Sequence, residues 1–156
     1  NKKLVVGPNK LTGEWGQNPI PGPMDNYEKS IKRHCGRIGA IEVFLSGPGL
    51  ESWYEFKTKF KKSSREIVDL YRSGDEEAKE IMNVYFERTA RAFSTFVNIL
   101  DPDVIVCGGG MSEINEIYEF VPKKIIPYLA SDIFLTPIIE AQHGASSGVR
   151  GAAHLW

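Results

Sequence analysis

The sequence predicts an α/β layer with at least partly parallel strand pairing. A long stretch of apolar residues at helical spacing runs directly into a short β-branched apolar segment, and a triple glycine then leads into helix, strand and helix signals. At 156 residues with 42% hydrophobic content, the chain is sized for one compact domain over residues 1–156 with a real core.

Taken in order, Asn1-Lys2-Lys3 reads as a turn and Leu4-Val5-Val6 as one short strand. A lone strand forms no stable sheet, so a partner segment is expected upstream. From Gly7 to about Arg37 the chain is rich in Gly, Pro and Asn, and Pro8, Pro19, Pro21 and Pro23 remove backbone donors. Regular structure should be sparse there, as in a functional loop. Ile41, Phe44 and Leu45 share a face of a helix beginning near Gly39. A break at Gly47-Pro48-Gly49 precedes a second helix from about Leu50 to Phe60, ended by the basic run Lys57 to Lys62.

Ser63 with Glu66 forms a capping box for a helix to about Tyr71, and Ser73 with Glu76 forms another. Ala78, Ile81, Met82, Tyr85, Thr89, Ala92, Phe93, Phe96 and Leu100 then mark one long amphipathic helix, whose stripe is core or dimer contact. Asp101-Pro102 stops it, and Asp103 to Cys107 reads as a buried strand. Ser112 caps a helix to about Tyr128 that is kinked or broken at Pro122 and Pro127. Pro137 to Glu140 is a strand and Gly148 to Leu155 a final helix.

Composition excludes several function classes. A formal charge of −1 leaves no basic stripe for a nucleic-acid backbone. No apolar run reaches the roughly 20 residues of a membrane span and no signal peptide opens the chain, so a cytoplasmic setting is expected. Cys35 and Cys107, the two cysteines, make no disulfide framework.

Gly108-Gly109-Gly110 follows a strand and precedes a helix, where glycines let backbone approach a nucleotide and the helix offers unpaired N–H groups. The competing reading is a tight turn needing positive φ at one glycine. Neither a Walker pattern nor a full Gly-x-Gly-x-x-Gly fingerprint is present. Asp101 and Asp103 lie at the other end of the strand and read as helix-stop and surface residues. Glu14, in a glycine-rich loop, and Glu42 are carboxylates suited to sugar hydroxyls, or else solvated surface groups. His34 and Cys35 lack partners at zinc-site spacing, Cys107 reads as inert core, and no Gly-x-Ser-x-Gly elbow occurs.

Four blocks together resemble the ROK family of sugar kinases, in its fructokinase/mannokinase branch. Thr12-Gly-Glu-Trp-Gly-Gln-Asn-Pro19 is similar to the family's Gly-Glu-x-Gly-His segment. Arg33-His-Cys-Gly-Arg-Ile-Gly-Ala-Ile-Glu42 is similar to its Cys-x-Cys-Gly-x-x-Gly-Cys-x-Glu motif. Ile99 to Gly110 and His143 to Ala153 resemble its later blocks, in order, so that the likeness covers essentially the whole chain.

The resemblance implies an actin-like (ribonuclease-H-like) ATPase lobe with a mixed sheet, long helices and a loop-rich degenerate zinc-motif segment. The activity it implies is transfer of a phosphoryl group from ATP, with Mg²⁺, to a hexose such as fructose. Residue by residue it assigns sugar binding to Glu14, Gln17 and Glu42, and the adenine nucleotide to Gly108, Gly109 and Gly110. Family zinc ligands are replaced by Gln17, Arg33 and Ala40, leaving Cys35 alone, so no zinc is expected and residues 18–40 must be ordered by packing or stay mobile.

The family's phosphate loop and general base have no counterpart in these residues. The chain therefore reads as a carboxy-terminal lobe, inactive alone, in a homodimer. The alternatives are a sugar-sensing ROK transcription regulator, with a DNA-binding segment before residue 1, and a pseudokinase.

Overall fold

The structure, a computed structural model, describes residues 4–32 and 36–153. Its centre is the long helix expected from the apolar stripe, α5 (Glu76–Leu100). The side chain of Asp75 accepts the Ala78 N–H at 2.8 Å, and Glu76 and Glu77 place negative charge at the positive end of the helix dipole. Asp101 ends the helix in a left-handed conformation, φ 42°. Asp75 takes the capping role expected of Ser73, because α4 (Ser64–Ser73) still includes that serine and closes on Gly74. Ala78, Ile81, Met82, Tyr85, Thr89, Ala92 and Phe93 are buried. Leu100 is 69% exposed, since the last turn extends past its packing partners.

Against α5 pack α2 (Glu42–Leu45), α3 (Gly47–Thr58), α4 and α6 (Glu116–Lys124). Phe44, Leu50, Ile67, Met82, Phe86, Val121 and Ile125 fill the space between them. The expected break at Gly47-Pro48-Gly49 falls one residue earlier. Ser46 caps α3 by accepting the Gly49 N–H at 3.2 Å, and Pro48 sits in the first turn, where its missing N–H removes no helix bond. A Cβ on Gly49 would lie 2.3 Å from the Val43 carbonyl oxygen, so glycine is required for α3 to start so close to α2. The capping box at Ser63 and Glu66 forms as expected.

Two parallel strands, β1 (Ile105–Cys107) and β2 (Ile138–Glu140), pair in the register Ile105↔Ile138 and Cys107↔Glu140 with α6 between them in sequence. This parallel pairing matches the α/β expectation. Among the described residues the antiparallel part of the expected mixed sheet is confined to two isolated bridges, Pro19↔Ala40 and Lys32↔Ile38. Leu4-Val5-Val6 forms no strand and is exposed.

The helix expected over 112–128 divides into a 3-10 turn at Gly110–Glu113, α6, and a second 3-10 turn at Ile126–Tyr128, with Pro127 at the second break. Ser112 does not cap it. Its hydroxyl instead donates to the Gly109 carbonyl at 2.7 Å. The proline-rich loop holds a short capped helix, α1 (Asn26–Ser30), and α7 (Ser147–Ala153) is the final helix. No described helix is long and apolar enough to cross a membrane.

Candidate functional site

Gln17 and Glu42 come from separate segments and meet. Gln17 closes a 3-10 turn at Trp15–Gln17 and Glu42 opens α2. The Gln17 amide nitrogen donates to Glu42 Oε2 at 2.8 Å, and the backbone of Gly16 lies against the Glu42 side chain. Trp15 is held edge-on by Phe93 and Phe96 of α5, at 6.0 and 5.2 Å between ring centres. Glu14 stands just before the turn and is exposed. Its carbonyl accepts the Gln17 N–H at 3.1 Å.

At the carboxyl end of β1, the three glycines play different parts. Gly108 lies against Ala141 and Ser147. Gly109 has φ 88° and ψ 175°, a region open essentially to glycine alone, so the tight-turn reading is realised at this one residue. Gly110 starts the following 3-10 turn. Two cavities flank this bend. One, of about 340 Å³, is lined by Gly108 and Cys107 together with Trp15, Thr89, Phe93 and Ser112. The other, of about 490 Å³, is lined by Gly110, Met111 and Ile114 on one side and Arg65, Val68 and Asp69 of α4 on the other.

The first cavity runs from Trp15 to the glycine bend, and among the described residues its lining contains no carboxylate or imidazole. Burial pushes the Cys107 thiol up. It also pushes Tyr118, whose hydroxyl donates to the Ser112 carbonyl at 2.6 Å, up to about 12. Both therefore stay protonated near neutrality and neither serves as a base there. The second cavity has an apolar floor at Val68, Met111 and Ile114 and a charged rim. In that rim Arg72 holds Glu116 through hydrogen bonds of 2.8 and 2.9 Å, which lower the Glu116 carboxyl below its usual range.

The face Arg65, Val68, Asp69, Arg72 follows helical spacing and was visible in the sequence as a helix, but nothing local showed that it faces the glycines. Trp15 and Met111 were likewise missed as lining residues.

Two positions of the metal motif, Gln17 and Ala40, are among the described residues. Ala40 is 1% exposed and has no donor atom, and the Gln17 amide nitrogen is committed to Glu42. Arg33, His34 and Cys35 lie outside the described residues. Among those described, no cluster of three His, Cys, Asp or Glu side chains comes together.

A family model described as the ROK family matches residues 1–156. An N-acetyl-D-glucosamine kinase of Vibrio atlanticus (strain LGP32) is 37% identical over 98% of this chain and 52% of its own length. One of Haemophilus influenzae (strain 86-028NP) is 38% identical over 78% of this chain and 40% of its own. The chain thus spans about half the length of the curated relatives it matches. Among solved structures, a ROK family glucokinase from Streptomyces griseus, in complex with glucose and AMPPNP, superposes with a TM-score of 0.82. It is 20% identical, covering 98% of this chain and 54% of that one. The fold is the actin-like ATPase lobe expected from the four sequence blocks.

Proposed function

Over residues 1–156 this chain belongs to the ROK family, and from that premise we propose that it is the carboxy-terminal lobe of an ATP-dependent hexose kinase. The observation that carries the proposal is the shared cavity. Trp15, two residues from the Gln17–Glu42 pair, and Gly108, at the end of β1, line the same space. A sugar gripped at one end is then adjacent to a nucleotide seated at the other.

Glu42 accepts hydrogen bonds from sugar hydroxyls and Gln17 fixes its orientation, while Glu14 closes over the sugar from the loop edge. Gly108, Gly109 and Gly110 bring bare backbone to the nucleotide, and the 490 Å³ cavity between the bend and α4 takes the adenosine. When bound, ATP with Mg²⁺ supplies the phosphoryl group and offsets its charge. The base that takes the hydroxyl proton is proposed to lie outside these 156 residues, as the family resemblance implies, and the described lining of the cavity holds no carboxylate or imidazole for that role. The chain alone is accordingly inactive.

The relatives' names favour N-acetyl-D-glucosamine as the hexose. Fructose is the second reading, implied by the resemblance to the fructokinase/mannokinase branch, and the Gly13-Glu14-Trp15-Gly16 loop favours a kinase over a regulator. We also propose that no zinc is held at the loop motif, supported by Ala40 and Gln17. Homodimerisation is supported by exposed Val106, Ile139 and Leu135.

Isothermal titration of the complete protein with N-acetylglucosamine, glucose, fructose, mannose and AMPPNP, followed by a coupled ADP-release assay, tests the reading. Turnover with one of the sugars is expected. Hexose binding without turnover assigns a regulator, and binding of neither ligand a pseudokinase.

A further inference from the structure

The loop between Gln17 and Glu42 closes at its feet. Ile20 N–H donates to the Gly39 carbonyl at 2.8 Å and Ile41 N–H to the Asn18 carbonyl at 2.9 Å. Gln17 and Glu42 are therefore the residues just outside the closure, joined through its feet to the loop body.

That body is gripped by two arginines of α5. Glu28, 1% exposed, accepts from Arg88 Nε at 2.9 Å and from Arg91 Nη1 at 3.0 Å. Arg88 Nη2 also donates to Asp25 at 3.1 Å, and its guanidinium lies 4.4 Å from the ring centre of Trp53. Arg91 Nε donates to the Pro21 carbonyl at 2.8 Å and Nη2 to the Pro23 carbonyl at 3.3 Å.

Arg88 and Arg91 are only 2% and 8% exposed. Desolvating such charges offsets most of their attraction, so a buried cluster contributes little net stability compared with apolar packing. Its directional bonds instead select one geometry. Two carboxylates, Asp25 and Glu28, balance the two cations, and two carbonyls of a proline-rich segment accept from Arg91 Nε and Nη2. One turn further along α5, Phe93 and Phe96 seat Trp15. The same helix thus holds the loop body and the turn that carries Gln17.

We propose that Arg91, acting with Glu28 and Arg88, is a positioning residue for the acceptor site, setting the Gln17–Glu42 geometry by locking residues 21–28 to α5. This rests on the sugar-site reading above. Arg91→Lys keeps the charge but loses the fork that reaches both carbonyls.

In the complete protein, hexose and AMPPNP affinities are measured by calorimetry for wild type, Arg91→Lys, Gln17→Ala and the double variant. Arg91→Lys is expected to weaken hexose binding about tenfold, the scale of a sub-ångström misplacement, and to leave AMPPNP binding within about twofold. The double variant is expected to bind hexose no worse than Gln17→Ala, because coupled residues are not additive. Additive losses, equal losses for both ligands, or no loss overturn the lock. If Arg91→Lys does not fold, Glu28→Asp is put through the same comparison.

Should wild type bind no hexose, the sugar-site reading fails. The lock is then tested by hydrogen exchange, where Arg91→Lys is expected to deprotect residues 12–31 and 36–42 selectively. Uniform or absent deprotection overturns it.

Discussion

Gly109 and Gly110 are neighbours with identical side chains, and each has open space where a Cβ would stand. They differ in backbone: Gly109 has φ 88°, whereas Gly110 is not among the positive-φ glycines. Gly109→Ala therefore adds no clash and isolates conformational strain, which amounts to about 1–3 kcal/mol in this region. If the turn relaxes to escape that strain, the Gly109 carbonyl swings away from the Ser112 N–H at 3.0 Å and hydroxyl at 2.7 Å. Each lost bond is worth about 1 kcal/mol, so relaxation offers no cheap route out. Gly110→Ala should stay within about 0.5 kcal/mol of wild type in stability, while placing a methyl at the wall of the 490 Å³ cavity. Urea unfolding and AMPPNP calorimetry on both variants check this. The expected pattern is a lower midpoint for Gly109→Ala and weakened nucleotide binding with an unchanged midpoint for Gly110→Ala. Equal midpoints would refute the assignment of strain to one glycine.

Asp75→Ala should lower stability by about 1 kcal/mol through loss of the α5 cap, and Ser73→Ala should be nearly silent, as read by thermal melting. Glu42→Gln removes the charged acceptor while preserving size. It is expected to weaken hexose binding in calorimetry more than Glu14→Gln does, because Glu42 is the carboxylate joined to Gln17. The folded-state depression of Glu116 by Arg72 contributes stability above the unfolded carboxylate range, and that contribution is lost as pH falls through the lower folded value. Glu116→Gln should accordingly narrow the gap between urea midpoints at neutral and acid pH, and an unchanged gap would show the pair to be energetically idle. Val121→Ala, in a fully buried position of α6, should cost about 1–3 kcal/mol in urea unfolding.

Features of the fold that were legible in the chain rest on short-range rules. The stripe from Ala78 to Phe93 forms a helix because side chains three and four residues apart share a face. The run before Gly108 forms a strand because β-branched residues suit a pleated surface. Cap positions were less secure. Asp75 and Ser73 are both good caps, and only the closure of α4 on Gly74 decides between them. Gly47-Pro48-Gly49 looked like a break because its composition is that of a turn, whereas Ser46 and the packing of α3 on α2 make it a first helical turn.

By itself the sequence determined the family, the α/β class, the long central helix and the glycine bend, since local periodicity and ordered motifs are written in neighbouring residues. Tertiary structure alone decided that Gln17 reaches Glu42 across 25 residues, that α4 faces Gly110 across a cavity, and that Glu28 is buried between Arg88 and Arg91. Those contacts depend on where distant segments come to rest, and a buried charge cluster takes its partners from wherever the chain happens to bring opposite charge out of water. No spacing rule along the chain encodes that.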